Sequence, residues 1–450
     1  MNIKVDSRKV KKGDIFVALK ETKENKEIYI KQAIDKGASK IICNEGEYEV
    51  ETINVEDPKE YLTSYLFKNY YSKLSKLKLI GITGTNGKTT TSYLIYQALN
   101  KLNKKCAYIG TIGFYLNETI RTLNNTTPDI LDLYELLLEC VDNNIEYVVM
   151  EVSSHGLAQK RVDSLLFDYA IFTNLTRDHL DFHKTMEEYA KEKKKLFNKL
   201  NNNGYRIINV DDEYSDLFLT KDAITYGFNN SDYQILKYKT AQTYTKFQIK
   251  KNNKIYKYKS KLTGRYNIYN LLITIIILEL LKIKDINKII KQLEPPPGRM
   301  DKIIFNKNLV IIDYAHSPDA VLNVIKATRM LTSKRIITLI GCGGNRDKTK
   351  RKEMAEIACK YSDFSIFTND NPRDEDPKQI LNDMTDKLNY ENYILLPNRK
   401  KAIIQGMKTL RKKDIFLILG KGHEDYQIIK NEKKHFSDKE EVLKYIKNNK

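Results

Sequence analysis

The string Thr83-Gly84-Thr85-Asn86-Gly87-Lys88-Thr89-Thr90 carries the residue types that a triphosphate needs. Small residues let backbone N–H groups close around phosphate oxygens, and a helix starting at its end adds the positive pole of its dipole. Lys88 would reach the outer phosphates, and the Thr89 hydroxyl would hold Mg2+. The general phosphate-loop pattern asks for glycine five residues before Gly87, where this chain has Ile82, so the strict pattern fails. The context holds: an apolar run at 77–82 precedes the string, and a helical pattern follows from about Thr89. A plain glycine-containing strand-to-helix turn is the bland alternative. The lysine and threonine at its end favour a nucleoside triphosphate.

Further strings could do related chemistry. Glu151 ends an apolar stretch at 146–152 and precedes Ser153-Ser154-His155-Gly156-Leu157. An acid at a strand end near a phosphate loop can hold Mg2+, directly or through water, whereas Ser and Glu together also read as a helix cap. Thr176-Arg177-Asp178-His179-Leu180-Asp181-Phe182-His183 is dense in potential ligands. Of six histidines only His435 lies outside such motifs, which weakens a purely structural reading of the others. The His179/His183 spacing resembles a zinc site, but a zinc protease needs Glu where Leu180 stands. In Asp370-Asn371-Pro372-Arg373 the guanidinium could clamp a carboxylate with two parallel hydrogen bonds, or the string could be an Asn-Pro turn with an exposed arginine.

These residues need parallel sheets to position them. At 450 residues with 41% hydrophobic content, two or three globular domains are expected. Short strand and helix patterns alternate through 1–77, for example at 14–19 and 39–43, and predict a small α/β cap. From 78 onward apolar strands alternate with helices, clearest at 146–152 and 168–174. A helix is predicted from about 268 to 293, where Glu294-Pro295-Pro296-Pro297-Gly298 stops it and serves as a semi-rigid linker. A third series follows, with strands at 309–313, 335–340, 364–368 and 415–419. The expected domains are therefore 1–77, 78–297 and 298–450. Such sheets are covered on both faces and bind ligands beyond their C-terminal strand ends, where every string above falls.

Composition narrows the classes. The formal charge of +19 raises nucleic acid or an acidic membrane as partner, but lysine fills the surface without an Arg-rich stripe, and no zinc-finger or RNA-recognition motif is present. Heavy use of Lys, Asn, Ile and Tyr with no Trp reads as coding bias. Cys43, Cys106, Cys140, Cys342 and Cys359 lie far apart, as free thiols in a reducing compartment would. The N-terminus has no apolar signal core, and the most apolar stretch, 271–281, is too short to span a bilayer and reads as a buried helix. A cytoplasmic, monomeric protein without a membrane span or nucleic-acid partner is expected.

The phosphate-loop variant resembles the Mur ligase family, whose members join amino acids to acids using ATP. Within it the chain is similar to the UDP-N-acetylmuramoyl-tripeptide synthetases. The strings that carry this are 150–157, 173–183, Asp313-Tyr314-Ala315-His316-Ser317-Pro318-Asp319, Gly341-Cys342-Gly343-Gly344-Asn345-Arg346-Asp347-Lys348 and Gly420-Lys421-Gly422-His423-Glu424-Asp425-Tyr426-Gln427. The likeness runs from Asp6 to the end in family order. It implies an α/β, three-domain architecture: an N-terminal cap for the UDP substrate, a central phosphate-loop domain with a parallel sheet, and a C-terminal Rossmann-like domain for the amino acid.

The resemblance also implies roles. ATP would meet Gly84 to Thr90 in the loop, with Asn267 and Asn270 on the adenine side and Arg299 and Asp313 closing from the third domain. The UDP substrate would meet Ser7, Arg8, Asn125, Thr126, Thr127, Ser153, Gln159, Arg161 and His316. Mg2+ would be held by Thr89, Glu151, His179 and Lys193. The last lies ten residues after His183, where the family has a carbamylated lysine. Lys88, Glu151, His179 and Lys193 would thus form the catalytic set, although Lys191, Lys194 and Lys195 crowd Lys193 as a solvated basic helix face would. Arg346, Asp370, Asn371, Pro372, Arg373, Gly420 and Glu424 would bind the incoming amino acid. In the family, Arg in the Asp-Asn-Pro-Arg string accompanies meso-diaminopimelate; LL-diaminopimelate, meso-lanthionine and lysine are the alternatives. The turn at 20–26 departs from the family's usual His- or Asp-Gly-containing one. Folylpolyglutamate synthetase and a nucleic-acid-dependent ATPase are the rival activities.

Overall fold

The computed structural model describes residues 1–19, 26–241, 243–430 and 432–449. Most of the departing turn, residues 20–25, therefore lies outside the described residues. The chain divides into two compact units, one of Met1–Gly81, Lys104–Tyr169 and Asn198–Gly204, the other of Ile82–Asn103, Ala170–Phe197 and Tyr205–Lys450.

The first unit opens with four parallel strands in chain order, Ile3–Lys4, Ile15–Val17, Lys40–Cys43 and Glu51–Asn54. Phe16, Ile30, Ala33 and Ile41 form their core. The helix Pro58–Leu74 starts where Asp57 accepts a hydrogen bond from the Lys59 N–H and proline fills the first turn, where its missing N–H costs nothing. Further along, Cys106–Gly110 pairs in parallel with Tyr147–Glu151 and antiparallel with Gly113–Leu116. All five residues of Tyr147–Glu151 are buried, which is why this strand reads as a continuous apolar run that ends in one acid.

In the second unit the helix Lys88–Lys101 begins at Gly87, and Arg265–Leu280 packs against it. The latter is apolar all round and buried from Leu271 to Leu278, as a core helix must be. It is shorter than the sequence suggested. Lys282 and Asp285 adopt left-handed backbone (φ +56° and +54°), ending one helix and starting the short Ile286–Ile290. Neither glycine nor proline marks that break.

The C-terminal sheet runs in the order Asp301–Phe305, Asn308–Asp313, Ile415–Leu419, Ile336–Ile340, Phe364–Phe367, Tyr393–Leu395. Only its first pair is antiparallel. Side chains alternate between two cores: Ile311, Ile336, Ile415 and Leu417 face one layer, while Val310, Ile337, Phe416 and Ile418 face the other. Asp313 ends its strand, and Gly341, Thr368 to Arg373 and Gly420 follow the C-terminal ends of theirs. All five cysteines are free and buried. Among the described residues no helix is long and apolar enough to cross a membrane.

Candidate active site

The phosphate loop is built by two glycines that cannot be replaced. Gly84 (φ +144°) and Gly87 (φ +87°) hold backbone that L residues avoid, and a Cβ on Gly84 would lie 1.9 Å from Thr173 Oγ1. On Gly87 it would come within 2.8 Å of Asn270 Oδ1. The strand-end segment at 173–176 braces the loop: Asn174 Oδ1 accepts from the Asn86 N–H at 2.8 Å, and the Thr173 hydroxyl donates to Asn86 O at 2.7 Å. The Lys88 ammonium donates to the carbonyls of Gly84 and Thr85, both at 2.9 Å.

Beside the loop lies a cavity of about 600 Å3 lined by Asn86, Gly87, Thr90, Asn267, Asn270, Arg299 and Asp313, along with Tyr226, Tyr266 and Tyr269. Seven of the residues expected at ATP thus share one space, and Gly84, Thr85, Lys88 and Thr89 are in the adjoining loop. Asn270 accepts from the Thr91 hydroxyl at 3.0 Å and donates to Asn267 at 3.0 Å. Arg299 stacks its guanidinium 4.6 Å from the Tyr314 ring and reaches Thr89 Oγ1 at 3.4 Å. Burial pushes the Asp313 carboxyl up, and its oxygens accept the N–H groups of Met300 and Ala315 at 2.8 and 2.9 Å. Asn86 also donates to Asp319 Oδ2 at 2.9 Å.

Lys193 is only 1% exposed, whereas Lys191, Lys194 and Lys195 face solvent. Its amine donates to Gly84 O at 2.9 Å and sits 4.2 Å from the centre of the Tyr189 ring. Burial, reinforced by the nearby Lys88 charge, depresses its pKa well below the ordinary lysine value. The basic helix face is real, and Lys193 is not on it. His179 adopts left-handed backbone (φ +54°) and lies 3.5 Å from Asp178. Burial opposes ionisation of Asp178, but the charges of His179, His316 and Lys350 prevail and hold it down at about 2. The His316 Nδ1 lies 2.9 Å from Tyr314 O, and burial lowers the pKa of its ring.

Among the described residues no three His, Cys, Asp or Glu side chains gather as a metal cage. Mg2+ does not need one, since it keeps waters and takes substrate phosphates. The Thr89 hydroxyl, the His179 ring and a buried amine able to become a carboxylate-like oxygen donor fit such a sparse set.

In the first unit, Glu151 is fully buried. One oxygen accepts from the Tyr108 hydroxyl at 2.5 Å and the Thr111 N–H at 2.9 Å, the other from the Thr111 hydroxyl at 3.0 Å. Thr111 in turn meets Thr126 Oγ1 at 3.1 Å. Thr127 donates to Glu151 O and receives the Ser153 N–H, both at 2.9 Å. Arg161 donates to Thr127 O at 2.6 Å and to Gln159 at 2.5 Å, and pairs with Asp129 at 2.9 Å. Gln159 and Arg161 line a cavity of about 330 Å3 together with Asp6 and Lys9. Ser7 and Arg8 are not drawn into that network. Ser7 is buried and donates to Gln32 at 3.0 Å, whereas Arg8 pairs with Asp6 in solvent, its side chain 84% exposed. Asn125 lines a separate depression with Arg121 and Glu139.

The strand-end loops of the C-terminal sheet gather Arg346, Arg373 and Lys421 with the carboxylates of Asp370 and Glu424. Arg373 (φ +53°) donates to Gly344 O at 2.8 Å. Burial, and then the neighbouring Arg346 charge, lower its pKa. Glu424 accepts from Asn371 at 2.9 Å and from the fully buried Lys421 ammonium at 3.1 Å. A Cβ on Gly420 would strike Asp370 Oδ2 at 2.5 Å. Pro372 is buried, and backbone hydrogen bonds of Arg373 with Ile428 and Lys430 stitch this turn to the strand Tyr426–Ile429. A guanidinium and a carboxylate in one pocket suit an amino-acid end, where a carboxylate and an ammonium share one carbon.

Two fully buried arginines frame this site, and no motif pointed to them. Arg399 forms a two-bonded pair with buried Asp438, both bonds 2.7 Å, and donates to Asn369 O and Leu419 O, the residues just before Asp370 and Gly420. Breaking a buried pair costs about 3–5 kcal/mol, so Arg399→Met is expected to lose that much stability and to raise KM for the amino acid more than for ATP. Adding Asp438→Leu should recover most of the stability in denaturant titrations; no recovery would refute the pairing argument.

Arg351 holds Gly343 O, Asp383 and Glu375, and Glu375 accepts the Asn345 N–H beside Arg346. The hydrogen bond from Arg351 outweighs burial and lowers Glu375 from 4.5 to about 2. A depressed carboxylate stabilises fully above its unfolded pKa and loses that contribution as pH falls through the folded one. The Asn345–Arg346 turn should therefore loosen between about pH 4.5 and 2, read as faster exchange of the Asn345 amide. Unchanged protection across that window would contradict the coupling.

Fold and site define a ligase of the phosphate-loop α/β class. Residues 82–278 match the Mur ligase middle domain and residues 298–422 the Mur ligase, glutamate ligase domain. The chain belongs to the Mur ligase family. It is 42% identical to the UDP-N-acetylmuramoyl-L-alanyl-D-glutamate–2,6-diaminopimelate ligase of Fusobacterium nucleatum, over 97% of this chain and 92% of that one. It is 39% identical to ligase 1 of the same description from Clostridium acetobutylicum, over 99% of this chain and 94% of that one. A solved structure of a ligase with that description superposes with a TM-score of 0.72 at 31% identity, covering 100% of this chain and 95% of the other.

Proposed function

We propose that this protein adds meso-2,6-diaminopimelate to the γ-carboxylate of D-glutamate in UDP-N-acetylmuramoyl-L-alanyl-D-glutamate, using ATP. The observation that supports this is Arg346, Arg373 and Glu424 near one another in the strand-end loops, in a chain whose relatives are named for 2,6-diaminopimelate. The three-domain division at 77 and 297 and a cytoplasmic location belong to the same proposal.

The D-glutamate γ-carboxylate attacks the γ-phosphorus of ATP, giving an acyl phosphate and ADP. The diamino acid's amine then attacks the acyl carbon, and collapse of the tetrahedral intermediate expels phosphate and leaves an amide. Lys88 offsets charge on the transferring phosphoryl group, where positioning and electrostatics do most of the catalysis. Gly84 to Thr90 present N–H groups to the phosphates. Asn267 and Asn270 position the base, while Arg299 and Asp313 close on the nucleotide. Mg2+, which the family assigns to Thr89, Glu151, His179 and carbamylated Lys193, supplies charge neutralisation at the phosphates when bound. Thr126, Thr127, Ser153, Gln159 and Arg161 hold the peptide-bearing substrate, with Ser7, Arg8, Asn125 and His316 as further contacts. Arg373 clamps the amino acid's distal carboxylate, and Asp370, Asn371, Pro372 and Gly420 shape the pocket around it.

Phosphate release from ATP with the UDP-dipeptide, assayed separately with meso-diaminopimelate, LL-diaminopimelate, meso-lanthionine and L-lysine, tests the assignment. Release is expected with the dicarboxylic diamines. Arg373→Ala should raise KM for diaminopimelate by about 10–100-fold with KM for ATP unchanged, as loss of a charge-assisted clamp does. A preference for lysine would sink the Arg373 argument, and silence with every amine would sink the ligase.

A further inference from the structure

The strands Tyr233–Thr240, Thr245–Lys251 and Lys254–Ser260 form an antiparallel ribbon; Tyr238 lines the nucleotide cavity, whereas none of the outward-facing residues named below does. Their register sets Lys239, Lys246 and Lys259 in one row, and Lys237, Gln248 and Lys257 in the next. Gln234, Lys250 and Ile255 form the third. Residues directly opposite share a face, so six of these nine outward positions are lysine. All six are exposed, while Ile235, Phe247, Ile249 and Tyr258 turn inward to the core. Residues 233–278 contain no Asp or Glu. Among the described residues none of the six makes an ion pair; Lys246 and Lys259 lean over the Tyr244 ring. Lys291 adds a further cation at the edge of a shallow depression of about 400 Å3 on this face.

Like charges directly opposite one another destabilise a sheet. Coding bias explains abundant lysine, and elsewhere on this chain lysines are interleaved with acids that pair with them, as Lys9 does with Asp132 and Lys40 with Glu51. It does not explain a grid of unpaired lysines on one sheet face.

We propose that this face docks on an anionic lipid surface. Ammonium groups on flexible stems act as point charges toward lipid phosphates, and clusters of four to eight of them suit such surfaces. Ile255, 57% exposed at one corner, and Leu236 near the opposite edge offer apolar side chains at headgroup depth. Nucleic acid is disfavoured because the outward grid holds neither an aromatic platform for bases nor an arginine fork.

The test uses the full chain and co-sedimentation with vesicles rich in phosphatidylglycerol, against vesicles of phosphatidylcholine alone. Binding is expected only to the former, and it should disappear when salt is raised to about 0.5 M. The triple variant Lys237→Glu, Lys246→Glu, Lys259→Glu should lose at least about 100-fold in affinity with phosphate release by the soluble enzyme unchanged. The equally charged control Lys387→Glu, Lys412→Glu, Lys447→Glu should retain most binding. Equal loss in that control would assign the effect to net charge and overturn the proposal. So would no binding to the anionic vesicles, or tighter and equally face-dependent binding to an oligonucleotide at the same salt.

Discussion

Lys88→Ala is expected to abolish turnover while leaving the fold intact. The Lys88 ammonium sits at the mouth of a loop whose shape is fixed by Gly84, Gly87 and the 173–176 segment rather than by the lysine itself. Its ammonium donates to two loop carbonyls, and the helix Lys88–Lys101 buries Leu94, Ile95, Ala98 and Leu99 away from it. Removing one preorganised charge from a developing phosphoryl transition state costs about 10²–10³-fold in rate, and more where it is the main cation. Thermal unfolding should be nearly unchanged. Near-normal phosphate release in this variant would remove Lys88 from the chemistry, and a collapse in stability would mean it braces the loop.

The second large effect concerns Lys193. A fully buried amine beside another lysine is driven to its neutral form, and a neutral amine is the nucleophile that CO2 requires. Forming the carbamate joins nitrogen to the CO2 carbon and releases one proton, replacing a poor cation site with an oxygen ligand suited to Mg2+. Lys193→Met should therefore lose turnover by about 10²-fold or more, since it removes a group at the phosphates rather than a surface charge. Lys194→Met, one position along on the exposed face, should have little effect. A readout apart from activity is available: protein equilibrated with 13C-bicarbonate should show one carbamate carbon resonance that Lys193→Met abolishes. A resonance that survives the substitution, or full activity in Lys193→Met, would contradict the assignment.

Much of the fold was legible because its sheets are buried on both faces. Tyr147–Glu151, Ile336–Ile340 and Ile415–Leu419 read as short apolar runs, and each ends where a polar string begins. The phosphate loop was legible because only small residues permit its backbone. What escaped was what the tertiary structure decides. Four lysines crowd residues 191–195; the family resemblance named Lys193, but nothing in the residues themselves shows that it is the one that turns inward beside Tyr189. The break after Leu280 rests on left-handed Lys282 and Asp285, neither a residue that announces it. The braces of the amino-acid site, Arg399 on Asp438 and Arg351 on Glu375 and Asp383, join residues 24 to 39 apart and carry no local signature. Ser7 and Arg8 show the converse: a recognisable string whose side chains face Gln32 and Asp6.

The most direct measurement follows oxygen. The enzyme would be given ATP, meso-diaminopimelate and UDP-N-acetylmuramoyl-L-alanyl-D-glutamate carrying 18O in both oxygens of the γ-carboxylate. An acyl-phosphate ligase must pass one of those oxygens to each phosphate released and keep the other in the new amide, so singly labelled phosphate and a tripeptide product are expected in equal amounts. Unlabelled phosphate, or labelled phosphate without an amide product, would contradict the proposed reaction.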